Sequence, residues 1–208
     1  PELAADFDKV QDAVNKGIEK EKVTAKNAQK EAEASLKKLQ TANENFVRRF
    51  LQNARADMHA GRVADALDKI KAADELKVLR QDVARAYLDN VDSSLVYRQF
   101  EVALNTVNSA DSTGLFQAET IVRAYLKTAE KSILYLKYDA ALECIKRAAK
   151  FDILKPEVSR LYLEIAFWQC ETGQFNRSAA LLDSIAQFPQ NKAIQPLLHS
   201  LPADTLAA

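Results

Sequence analysis

The sequence predicts an all-α protein of about four helix–turn–helix repeats, period 37–38 residues, preceded by a long N-terminal helix or a helical hairpin. Three observations carry this expectation. The 208 residues include only four Gly and five Pro, and a chain so poor in turn formers favours long helices with short connections over a many-stranded sheet. Apolar residues recur at helical spacing, as in Val83, Tyr87, Val91 and Leu95. Finally, "RAYL" occurs at Arg85–Leu88 and again at Arg123–Leu126, with "RRFL" from Arg48 and "RLYL" from Arg160 as looser copies.

The aromatics of these four motifs are Phe50, Tyr87, Tyr125 and Tyr162, at intervals of 37, 38 and 37 residues. Arg48, Arg85, Arg123 and Arg160 keep the same intervals, as do Leu51, Leu88, Leu126 and Leu163. A second landmark follows in each unit, "VADAL" at Val63, "FEVAL" at Phe100, "YDAAL" at Tyr138 and "FNRSA" at Phe175. Its small residue is Ala66, Ala103, Ala141 or Ser178, and seven residues later stand Ala73, Ala110, Ala148 and Ile185. Five aligned columns define an internal repeat.

Taken in chain order, residues 1–40 form a charged, Ala-rich helical region. Small and apolar residues there fall in a 3-4 pattern through Val14, Ile18, Glu21, Ala25, Ala28, Ala32, Ser35, Leu39, Ala42 and Phe46, a heptad seam made largely of alanine. No Pro or Gly lies between Ile18 and Ala60, and one helix there would reach about 60 Å. A hairpin with its turn near Gly17 is the alternative. The seam either leaves a solvated helix tip or serves self-association and docking. The repeats are expected at about 41–77, 78–114, 115–153 and 154–190. Within them Gly61 and Gly173 mark the turn between paired helices. "DSTG" at Asp111–Gly114 and "KP" at Lys155–Pro156 separate units, with the Pro opening a helix. Residues 191–208 are expected to be a cap or tail, with Ile194, Leu197, Leu198 and Leu201 covering the last repeat.

The units resemble tetratricopeptide (TPR) repeats. The resemblance rests on Gly–x–aromatic at Gly173–Phe175, on "YDAALECIKRAA" from Tyr138 and on the small residues shared by all units, and it covers roughly Thr41–Gln190. The period exceeds the usual one of about 34 residues, and the Pro that closes such a repeat is absent or shifted, as at Pro189. The resemblance implies a TPR-like α-solenoid, a scaffold that holds a peptide or helix of another protein on its concave side, and no chemistry. By position on the first helix of each unit, the groove candidates are Arg48, Leu51, Arg55, Arg85, Leu88, Asp92, Arg123, Leu126, Glu130, Arg160, Leu163 and Phe167.

A ladder of guanidinium groups can hold carboxylates of an extended acidic partner. Each Arg also has an acid one turn earlier in its own helix (Glu44, Asp82, Glu119 and Glu157), which allows a purely structural role. Lys+Arg and Asp+Glu are equal at 29 each, against the basic excess that nucleic-acid binding needs. The lysines of Lys16–Lys38 are interleaved with Glu19, Glu21, Glu31 and Glu33 and read as a solvated face. No apolar run approaches the length of a membrane span.

Neither a metal nor a cofactor is expected. His59 and His199 are isolated, and Cys144 and Cys170 form no CxxC and read as buried thiols on neighbouring helices. "NRS" at Asn176 fits a glycosylation sequon at a helix start, while P-loop, GxSxG and HExxH motifs are absent. The expectation is therefore a non-enzymatic, soluble interaction scaffold, or alternatively an assembly subunit that oligomerises through its N-terminal helix. A cytoplasmic setting is favoured over a periplasmic or secreted one. A chain that begins at Pro1 without Met reads as a processed protein or a piece of a longer one, whose missing part could carry an address.

Overall fold

The computed structural model describes residues 2–186. The expected cap at 191–208, with His199, lies outside the described residues. Every regular element described is an α-helix: α1 (Glu2–His59), α2 (Val63–Glu75), α3 (Arg80–Val96), α4 (Phe100–Ser112), α5 (Ala118–Leu134), α6 (Tyr138–Ala149), α7 (Lys155–Glu171) and α8 (Phe175–Ala186). The chain divides into two compact units, residues 1–46 and 47–208.

Residues 2–46 of the first unit lie within α1. Gly17 is helical, which corrects the alternative of a hairpin turn there: one Gly inside a helix costs about 1 kcal/mol, too little to break a segment of good helix formers. Val14, Ile18 and Leu39 of the heptad seam are exposed.

In the second unit, each of the four expected repeats holds a helix pair, the first made by the end of α1 with α2. The turn joining the pair has three residues every time, 60–62, 97–99, 135–137 and 172–174. Its middle residue is left-handed in all four, with φ of 74° at Gly61, 58° at Arg98, 60° at Leu136 and 76° at Gly173. The next amide then donates back five residues, as from Arg62 to Asp57 O, Gln99 to Ser94 O, Lys137 to Ser132 O and Gln174 to Gln169 O, at 2.7–2.9 Å. This is the Schellman closure, which satisfies the last carbonyls of a helix and reverses the chain. The extra residue of the second interval sits in the connection 113–117, where Gly114 has φ of 64°.

The conserved-period columns explain the packing. Ala66, Ala103, Ala141 and Ser178 are wholly buried, and Ala73, Ala110, Ala148 and Ile185 are buried with them. Small side chains at these positions let neighbouring helices approach closely. Beside them Tyr87, Tyr125 and Tyr162 are buried, while Phe50 is half-buried. Together with Val47, Leu51, Ala54 and Met58 of α1 they form one continuous core through α8. Helices pack on their chain neighbours and also on the next but one: α2 on α4, α3 on α5, α4 on α6 and α5 on α7. Consecutive turns touch as well. Tyr97 Oη donates to His59 O at 2.8 Å, Gln99 Nε2 to Gly61 O at 3.0 Å, and the Arg98 guanidinium lies 4.5 Å from the Tyr135 ring centre.

Truncating Tyr87, Tyr125 or Tyr162 to Ala is expected to cost about 3–5 kcal/mol in a urea melt. The turns give a finer test. A Cβ at Gly61 would lie 3.2 Å from Tyr97 Cε1, whereas a Cβ at Gly173 meets nothing within 4 Å. Both Gly→Ala changes pay the left-handed cost, so Gly173→Ala should lose about 1 kcal/mol and Gly61→Ala about 1–2 kcal/mol. Leu136→Gly removes the same strain from an exposed side chain and should gain about 0.5–1 kcal/mol by the same melts.

Candidate functional site

The twelve groove candidates lie on α1, α3, α5 and α7, the first helices of the four pairs. Arg48, Arg55, Arg85, Asp92, Arg123, Glu130, Arg160 and Phe167 are exposed, and Leu88 and Leu163 are half-buried. Leu51 and Leu126 belong to the core and present no groove surface. They follow directly on the aromatics Phe50 and Tyr125.

The charged candidates are joined across helices as well as along them. Asp92 of α3 pairs with Lys127 of α5 at 2.6 Å, and Glu130 of α5 pairs with Arg160 of α7. Arg160 also reaches Glu164 at 3.6 Å, and Arg123 pairs with Glu119 one turn earlier at 2.6 Å. Of the expected within-helix acids, Glu119 is thus engaged, whereas Arg160 turns from Glu157 to the neighbouring helix. Arg85 has no carboxylate within 4.0 Å among the described residues. All these pairs are well exposed, so each is worth at most about 1 kcal/mol. Between α3 and α5 a cavity of about 210 Å³ is lined by Leu88, Val91, Asp92, Arg123 and Lys127. Three groove candidates from two repeats therefore share one depression.

Lys127 was not singled out by the repeat, because its column reads Gln52, Asp89, Lys127 and Glu164 and carries no common chemistry. Asp57 was missed for a related reason. It stands in a column with Ser94, Ser132 and Gln169, and is the charged member of a set of buried polar residues. Lys69 and Arg62 both hydrogen-bond its carboxylate, Arg62 Nε at 3.0 Å. The Lys69 ammonium and then the Arg62 guanidinium hold its carboxyl below the ordinary carboxylate range. A buried acid so paired is a stability element near the first turn, not a general base.

His59 is exposed, and no group of three His, Cys, Asp or Glu among the described residues is arranged to hold a metal ion. Cys144 on α6 is buried and Cys170 on α7 half-buried, and both are free thiols. Burial pushes the Cys144 thiol up to about 12. Cys170 Sγ lies 3.0 Å from Ser178 Oγ, which in turn donates to Ala166 O at 2.8 Å. No helix among the described residues is long and apolar enough to cross a membrane. No protein-family profile, curated protein or solved structure matches the chain.

Two measurements follow from these environments. At pH 8 a thiol reagent should label Cys170 well before Cys144, with both equally reactive only in denaturant, because the thiolate is the reacting form. Asp57 has a lowered folded pKa, so its contribution to stability is complete above the unfolded carboxylate value and is lost as the pH falls through the folded one. Thermal melts should show a midpoint that drops on acidification, and Asp57→Asn should lower the neutral-pH midpoint and flatten part of that drop.

Proposed function

We propose that this chain is a non-enzymatic interaction scaffold. In this reading residues 47–186 stack as TPR-like helical hairpins, and the face made by α1, α3, α5 and α7 receives a peptide or helix of a partner protein. The observation that carries the reading is the cavity between α3 and α5, which brings Leu88, Asp92 and Arg123 from two repeats to one place. An apolar wall with a guanidinium at its edge suits a side chain flanked by a carboxylate. The neighbouring ion pairs fix the rim by charge and stay exposed, so they exchange partners at little cost.

A second reading is favoured by a separate observation. Val14, Ile18, Leu36 and Leu39 are exposed along the N-terminal part of α1, and an apolar helix face left in water is the usual mark of helix pairing. In this reading the chain is an assembly subunit that self-associates through that helix.

Affinity capture on the intact chain, with captured proteins identified by mass spectrometry, tests the first reading when Arg85→Ala and Arg123→Ala are run beside it. A groove ligand should lose about 1–3 kcal/mol per charge-assisted contact, with Arg→Lys recovering only part of it. Equal capture by parent and variants would remove the groove. Sedimentation of the chain with and without residues 1–40 tests the second reading. An oligomer that becomes a monomer on truncation supports it, and a monomer in both cases excludes it.

A further inference from the structure

The turns of the second and third repeats differ from their siblings at the left-handed position. Turns 60–62 and 172–174 put Gly at the left-handed position, whereas turns 97–99 and 135–137 put Arg98 and Leu136 there. A non-glycine residue held left-handed costs stability. Leu136 recovers nothing for it, being 69% exposed, and its neighbours Leu134 and Val96 are 67% and 75% exposed. An apolar side chain kept on a strained backbone and presented to water points to an external contact.

Tyr135 stands between two depressions at this edge. It lines the first, about 280 Å³, with Asp92, Leu95, Val96, Lys127 and Lys131. Its ring rests on Arg98 and 5.6 Å from Phe100, and these two line the second, about 330 Å³, with Val102, Ala140 and Lys137. Arg98, Lys131 and Lys137 have no carboxylate within 4.0 Å among the described residues. Lys127 is held by Asp92, and Glu101 also lines the second depression. Cations therefore exceed acids around an apolar centre. On the first-helix face Lys127, Arg123 and Arg160 are each met by an acid, while Arg85 has none within 4.0 Å among the described residues.

We propose that the edge formed by turns 97–99 and 135–137 is a docking surface for an acidic amphipathic helix of a partner protein. Its aliphatic side chains enter the depressions on either side of Tyr135, and its carboxylates meet Arg98, Lys131 and Lys137. Two hollows divided by a tyrosine ridge fit discrete side chains better than a lipid surface, which meets a convex tip. The inference rests on the interaction-scaffold reading and goes beyond it by adding a second contact, at the turns, to the one on the first-helix face.

Fluorescence anisotropy on the intact chain tests it with a labelled synthetic helix that carries a Leu stripe flanked by Glu. A second helix with every Glu replaced by Lys is the control, and vesicles of equal parts phosphatidylcholine and phosphatidylserine form a third arm. The acidic helix should bind and the basic one should not. Lys131→Glu combined with Lys137→Glu should weaken binding by about tenfold or more. Leu136→Gly should weaken it as well while raising the thermal midpoint, an outcome that misfolding cannot produce. Failure of the acidic helix to bind, equal binding of both helices, unchanged affinity in the edge variants, or binding of vesicles alone would each overturn the proposal. If Arg85→Ala and Arg123→Ala abolish binding and the edge variants do not, this inference falls and the scaffold reading stands.

Discussion

Everything in the repeat unit depends on how closely its helices approach. Ala66, Ala103, Ala141 and Ser178 have no accessible surface, and the same holds or nearly holds for the residues seven positions on. A single added methylene at such a position meets a neighbour's backbone or side chain, because interiors are packed as densely as organic crystals. The small residues thus set the spacing, and the spacing makes room for the large aromatics Tyr87, Tyr125 and Tyr162 in the buried core. The three-residue turns follow from the same requirement: helices this close can be joined only by a tight reversal, and the Schellman closure provides one whose amides are satisfied.

The fold was largely legible in the sequence because these requirements recur in every unit. Five columns at intervals of 37, 38 and 37 residues each correspond to a consistent environment, except the Leu column and the aromatic one, whose Phe50 is half-buried while its three tyrosines are buried. Leu51 and Leu126 are buried while Leu88 and Leu163 are half-buried. Leucine tolerates both, so its repetition carries no orientation. The turn at Gly61 and that at Gly173 were visible, whereas Arg98 and Leu136 adopt the same left-handed backbone without the residue that announces it. The continuity of α1 through Gly17 was left open by the sequence, since one Gly neither forces nor forbids a turn.

The candidate site was less legible for a physical reason. Repetition reveals what each unit needs for itself, but the ion pairs Asp92–Lys127 and Glu130–Arg160 join residues of different units from different columns. No within-unit pattern signals such a pair. The buried charge at Asp57 is similar, a local substitution into a polar column whose partners, Arg62 and Lys69, occur in the first repeat alone. Function at the surface is written in the departures from the repeat, and those become meaningful only when neighbouring units are set side by side.

The reach of the helix contacts has a kinetic consequence. The principal contacts join a helix to the next one or the next but one, so native neighbours are close in sequence as well as in space. Closing such short loops costs little chain entropy, and chains rich in local contacts fold orders of magnitude faster than those that must bring distant segments together. A nucleus can therefore form at any complete hairpin and grow by adding the adjacent one. Among the described helices, the pairs α3–α4 and α5–α6 each pack against a helix on either side. The turns that carry Arg98 and Leu136 belong to these doubly packed pairs, where local opening is expected to be rarest.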